Sequence, residues 1–274
     1  MYRCLLILAA LSCVACAQQA PEGPRVEQVY PVSAEVPENI LRFYVEFSEP
    51  MKEGDFLQHI RLTRVDTGED LTGVFFDNIH ELWSADRTRI TLLVDPGRVK
   101  HGLMAHKERG RAFVDGGSYR LHILPSWESL RGAPLAAEHV HTFKARPERL
   151  VRLDPGSWCL KLPEPNSLQP LVVDFGVAVD HVSVHHLLRV SSPSGSALAG
   201  AWTMAPGGRS ASWRPATQWG EDVPSHKLMI SGRFEDIAGN SVHSSFERPP
   251  GTASGGDEGQ VHVKLLGGSC ELKR

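Results

Sequence analysis

Thirteen histidines in 274 residues make metal binding the first chemistry to weigh. The densest group is His181, His185 and His186, beside Asp180 in DHVSVHHLLRV. On a helix, His181 and His185 would share a face at i, i+4, the spacing zinc ligands use. An internal duplication, described below, instead places this stretch in a loop and at the start of a strand. There His185 and His186 would point to opposite faces. His139 and His141 share a strand face but have no clear third ligand. Solvated histidines are therefore expected, with no metal site and no cofactor.

Nucleophile chemistry has even less support. The chain has no G-x-S-x-G, and nothing near Cys159 would activate its thiol. His80-Glu81-Leu82-Trp83-Ser84 begins like H-E-x-x-H but lacks the second histidine. Asp66 with Glu69 and Asp70, and Glu235 with Asp236, are acidic enough to consider for calcium. They match no calcium-loop spacing and read as surface turns. The paired glycines at 255–256 and 267–268 precede no helix, so no phosphate cradle is expected. These absences predict a protein that is not an enzyme.

The cysteines speak of location instead. Cys13-Val14-Ala15-Cys16 has CxxC spacing, but it lies in the apolar run Leu5–Ala15 after Arg3. That run is too short for a spanning helix, which needs about 20 residues; it has the form of a secretory signal peptide. Val14-Ala15-Cys16 resembles the end of a bacterial lipobox, with Cys16 as the lipidated residue. The alternative is cleavage after Ala17 and release of a soluble chain. Lipidation at Cys13 would strand Cys16, Cys159 and Cys270 as an odd set, whereas either preferred route leaves only Cys159 and Cys270. Two thiols in an exported chain predict one disulfide between them, closing a loop worth up to roughly 4 to 5 kcal/mol by chain entropy.

The elements that would carry these residues are strands. Leu41, Phe43, Val45 and Phe47 alternate with Arg42, Tyr44 and Glu46, the period of a half-buried strand. Further strands are expected at 26–32, 60–65, 73–76, 89–94, 119–124 and 140–143, with one helical turn at 53–59. Short strands separated by turns such as Asp66-Thr67-Gly68 and Asp95-Pro96-Gly97 predict a β-sandwich. A net charge of -3 gives no polyanion-binding signature, so nucleic acid is not an expected partner.

The second half repeats the first. Leu171–Phe175 answers Leu41–Phe47, Leu187–Val190 answers His59–Leu62, and Lys227–Ile230 answers Tyr119–Ile123. Gly132 and Gly239 then stand at matching places, each before a closing strand holding Phe143 or Phe246. Such a repeat is a duplicated domain. Phe47-Ser48-Glu49-Pro50-Met51 and Glu235-Asp236-Ile237-Ala238-Gly239-Asn240 resemble two signatures of the bacterial Ig-like domains named after the S-layer protein SbsA. That resemblance implies Ig-like sandwiches exported to the cell envelope as spacer, adhesion or accessory modules.

The expected plan is all-β: a signal peptide and lipobox over 1–17, then two tandem Ig-like β-sandwich domains over 25–146 and 155–248. A linker and C-terminal strand over 249–274 would pack on the second domain, with Cys270 pinning that strand against the edge formed by Cys159. One segment, 98–117, is longer than a sandwich loop needs. Its Arg98, Lys100, His101, Lys107, Arg109 and Arg111 form a candidate partner-binding loop for an anionic glycan, lipid headgroup or acidic protein. The expected function is that of a non-catalytic envelope protein anchored to the membrane by lipid. Its partner would be an envelope protein or glycan. The alternatives are a periplasmic metal-binding carrier, or a hydrolase with its site in an inter-domain groove.

Overall fold

A computed structural model describes residues 23–77, 80–100, 104–246 and 259–265, the side chains of 104–106 aside. Cys16, His101 and Cys270, like the leader 1–17, lie outside the described residues. No described helix is long and apolar enough to cross a membrane. The architecture is all-β, two sandwiches in tandem, each with its own apolar core.

The first domain opens with β1 (Val26–Tyr30), β2 (Glu35–Pro37), β3 (Arg42–Phe47) and β4 (Ile60–Arg64). It continues with β5 (Leu82–Trp83), β6 (Arg89–Leu93), β7 (Ser118–Ile123) and β8 (His139–Arg146). One sheet has the order β1-β3-β6-β5 and the other β2-β8-β7-β4, with β2 parallel to β8 and the remaining pairs antiparallel. The alternation of β3 sends Phe43 and Val45 into the core, both at 0% exposure. Phe43 lies among the rings of Phe75, Phe113 and Phe143. Fully burying each such side chain is worth about 1.5–3 kcal/mol.

The second domain holds β9 (Cys159–Lys161), β10 (Leu171–Asp174), β11 (Leu188–Ser191) and β12 (Gly200–Met204). Then come β13 (Ser210–Pro215), β14 (Lys227–Ile230) and β15 (Val261–Lys264). Its sheets run β12-β13-β10-β9 and β11-β14-β15, so β10 stands where β3 does and β14 where β7 does. Isolated bridges mark the duplication as well: Met51 pairs with Ser129, and Val179 with Asp236.

Four expectations need correction. Residues 73–76 form no strand, only a bridge from Phe75 to Val94. Segment 98–117 is not a loop throughout: α1 (Pro96–Val99) and α2 (Met104–Arg109) lie at its start, and Asp95 caps α1 by accepting from the Gly97 N–H at 2.8 Å. Among the described residues, no strand closes the second domain around Phe246. The place beside β14 is taken by β15, in antiparallel register with Val263 opposite Leu228 and Leu265 fully buried just beyond. β15 therefore extends the β11-β14 sheet and does not pair with β9. The fourth correction, a helix at residues 181–187, creates the site described next.

Candidate functional site

The joint between the domains is built from the polar face of β3. Arg42, Tyr44 and Glu46 alternate with core residues and would face water on an isolated sandwich. Here the second domain covers them: Tyr44 is 4% exposed. Its hydroxyl donates to Asp180 Oδ2 at 2.7 Å, and Arg42 is ion-paired with Glu235. Burial first, then the negative charge of Asp180, pushes the Tyr44 phenol far above its ordinary range. It stays a neutral donor.

Asp180 serves two partners. Its other oxygen accepts from the Ser183 N–H at 2.8 Å and so caps α3 (His181–Leu187). A carboxylate at that position satisfies a donor which the first helical turn leaves without a partner. The stretch read as a loop and strand start is thus a short helix, and His181 and His185 share a face after all.

The turn 235–240 supplies the second half of the joint. Asp236, 1% exposed, accepts from the N–H groups of Ala238 and Asn240 at 2.9 Å each. It also accepts from Asn240 Nδ2 at 2.9 Å and from Arg149 Nε at 2.8 Å. The Asn240 amide also donates to the Arg149 carbonyl, and Asn39 exchanges two hydrogen bonds with the Arg149 backbone. Leu41 donates its N–H to the Ile237 carbonyl at 3.1 Å. Gly239, at φ +79, passes so close that an added Cβ would lie 2.2 Å from Leu41 Cδ1. Ile237 accordingly packs into the first domain's core. Glu235 and Asp236, expected as surface turn residues, are instead the centre of the joint.

Beside this lock lies a groove of about 620 Å³. One wall is Glu46 of β3 and Arg89 of β6; the other is Trp202, Thr203 and Met204 of β12. Tyr30 and the three histidines of α3 also line it. The Tyr30 and His181 rings stack at 3.6 Å, and His185 follows at 4.6 Å. His181 Nε2 faces Glu46 Oε1 at 3.5 Å. That histidine holds the Glu46 carboxyl below its usual range, while burial pulls His185 down. His181 Nδ1 is buried without a hydrogen-bond partner. The Arg89 guanidinium sits 5.8 Å from the Tyr44 ring centroid. Sequence reasoning named these histidines but missed Tyr30, Glu46 and Arg89. Among the described residues, no group of three His, Cys, Asp or Glu side chains is arranged to hold a metal.

The basic segment does not gather into one surface. Arg98 Nε donates to the Gly110 carbonyl at 2.8 Å, and its terminal nitrogens donate to the carbonyls of Arg111 and Gly73. Arg111 pairs with Glu38 and Glu148, its side chain 11% exposed. Lys100 places its ammonium 4.7 Å from the centre of the Phe246 ring. Lys107 and Arg109 are exposed on α2. Arg98 and Arg111 are thus packing residues. Cys159 is half-buried on β9, and Cys270 lies outside the described residues.

No protein-family model and no curated protein matches this chain. Among solved structures, the N-terminal part of the bacterial S-layer protein SbsC is similar at 13% identity and a TM-score of 0.30. The match covers 88% of this chain and 44% of that one. The MG0-NIE-MG1 domains of Escherichia coli alpha-2-macroglobulin match at 12% identity and a TM-score of 0.29, over 77% of this chain and 66% of theirs. Against the native conformation of that macroglobulin, at 14% identity and a TM-score of 0.29, the chain is covered over 64% but spans only 9% of the larger protein. These are distant likenesses at low identity.

Proposed function

We propose that this protein is a non-catalytic structural and adhesion module of a bacterial cell envelope, in which two β-sandwiches act as one stiff strut. The observation that carries this reading is the joint. Tyr44–Asp180 is buried on both sides, Arg42–Glu235 and Arg149–Asp236 are half-buried or better, and the Gly239–Leu41 approach leaves the domains little room to hinge. A flexible pair of sandwiches would instead be joined by a solvated linker with a smaller, more polar contact. The leader supports export, with Cys16 as the lipidated residue and the membrane reached through that anchor. Cys270 is the expected partner of Cys159 and would fasten the chain beyond β15.

Two measurements test this. Small-angle scattering of the soluble body should fit a single rigid arrangement of the two sandwiches, and a broad ensemble of inter-domain angles would remove the strut. Intact mass and membrane fractionation of the native protein should give a diacylglycerol-modified chain beginning at Cys16. A soluble chain beginning at Gln18 would replace the anchor with secretion.

A further inference from the structure

The groove beside the joint holds polar groups that the protein does not use itself. Arg89 lies half-buried on its wall, opposite Glu46 across the strands, and among the described residues its guanidinium has no hydrogen bond or close ion pair. A cation in a partly desolvated wall attracts counter-charge more strongly than one in open water. His185 and His186 expose their rings on the same side. His181 is held nearly immobile, its side chain 10% exposed between Tyr30 and His185, with Nδ1 unpaired. The carboxylate that would oppose an anion, Glu46, is engaged by His181. The groove thus gathers one guanidinium, one carboxylate already engaged by His181, and three imidazoles around a space of ligand size.

We propose that this groove binds a single anionic group, a carboxylate or a phosphate, carried by a molecule no larger than an acidic sugar. Arg89 supplies the fixed charge, His185 and His186 supply further donors, and Tyr30 and Trp202 bound the space. Both anion classes offer the planar or tetrahedral oxygens that a guanidinium fork recognises. The groove would take such a ligand whether or not the chain is lipid-anchored, so failure of the envelope reading leaves it standing.

The pH dependence follows from the groups facing the space. These are Tyr30 from β1, Glu46 from β3, Arg89 from β6 and the three histidines of α3, with no charged residue on the Trp202–Met204 wall. Glu46, held below its usual range, keeps its charge, so the net positive charge rises when His185 takes a proton. Burial holds His185 below its ordinary range, which places most of the gain on the acid side of neutrality.

The test is NMR titration of the soluble body with inorganic phosphate, with glucuronate, and with glucose as the neutral control. The Arg89 Nε–H and the ring signals of His185 and His186 should move with phosphate, glucuronate or both, and not with glucose. Which anion acts more strongly identifies the source of the charge. Affinity for glucuronate, whose carboxylate stays ionised throughout, should tighten several-fold between neutral pH and about pH 5.5. Arg89→Gln should weaken binding about tenfold or more. His185→Gln, at an exposed position, keeps the test valid if Arg89→Gln disturbs the fold, and should flatten the pH dependence. Three outcomes overturn the proposal: no response to either anion, a response spread over surface lysines and unchanged by both variants, or zinc binding at His181 and His185 with no anion effect.

Discussion

The turns at 128–132 and 235–240 occupy the same place in the two sandwiches and do opposite things. Each follows the strand beside its domain's closing strand, each bridges back to the residue four past a core phenylalanine, and each has a glycine near φ +79 (+78 at Gly132). Around Gly132 the space is open except for the Lys52 ammonium, and Leu130 is 51% exposed. At Gly239 the first domain is in contact, and Ile237 is 8% exposed. Ser129 is buried with an unpartnered hydroxyl, whereas Asp236 at the same site collects donors from its own turn and from Arg149 in the segment joining the domains. The comparison teaches that the glycine answers to the turn, while the Asp-Ile-Ala-Gly-Asn side chains answer to the joint.

The sharpest way to break this contrast is the pair Gly239→Ala and Gly132→Ala. Both add strain at positive φ, roughly 1 kcal/mol, but only the first drives a methyl into Leu41, adding about 1–3 kcal/mol. Chemical denaturation should show Gly239→Ala as clearly the worse; equal losses would mean that Leu41 simply moves away. Next come Asp236→Ala and Ser129→Ala. The first leaves Arg149 and Asn240 without their shared acceptor and should cost about 2–3 kcal/mol. The second removes a hydroxyl that satisfies nothing and should be neutral or slightly stabilising. A similar loss for both would show that Asp236 is only a turn residue.

Tyr44→Phe should cost about 1–2 kcal/mol, since Asp180 then loses a donor at a buried position. The same substitution should also loosen α3, which hydrogen exchange at Ser183 would report. A native Ser183 exchange rate would separate the helix cap from the joint.

A last effect is one of acid, and it should fall on the first domain. Burial, with a lesser contribution from neighbouring His139, pulls His141 down to about 4. Between pH 6.5 and 4 the unfolded chain therefore binds the proton and the native state does not. Stability contributed by the neutral ring is present above the ordinary histidine range and is lost as pH falls through that window. His141→Leu should flatten the first domain's acid decline over this range, as measured by its denaturation midpoint against pH. An unchanged slope would assign the decline to other groups.

The sandwich plan was readable because period-two alternation is dictated by the pleat, and β3, β6, β7 and β10 all keep it. The joint was not, because Arg42, Tyr44 and Glu46 read the same whether water or a second domain covers them. Helix α3 was missed for a different reason: the repeat logic placed His181–Leu187 against the first domain's region 53–59. There the fold has only a 3-10 turn, Phe56–Gln58, whose preceding Asp55 makes no side-chain cap. Asp180 does make one, so the same place in the repeat grew into a helix. Phe246 misled as a strand marker because it is recruited to the joint, near Gly239 and Lys100.

The late position of β15 has a consequence for how the chain is made. The first domain has all its strands once Arg146 has emerged, and it can fold while the rest is still being synthesised or threaded through a membrane. The second must hold β11 and β14 without their neighbour across more than thirty further residues. Through that interval the outer edge of β14 is bare, and its Leu228 and Ile230 lack part of their cover. The order of emergence makes the second sandwich the one in need of shelter, and the already finished first sandwich, offering the face of β3, is the surface nearest to hand.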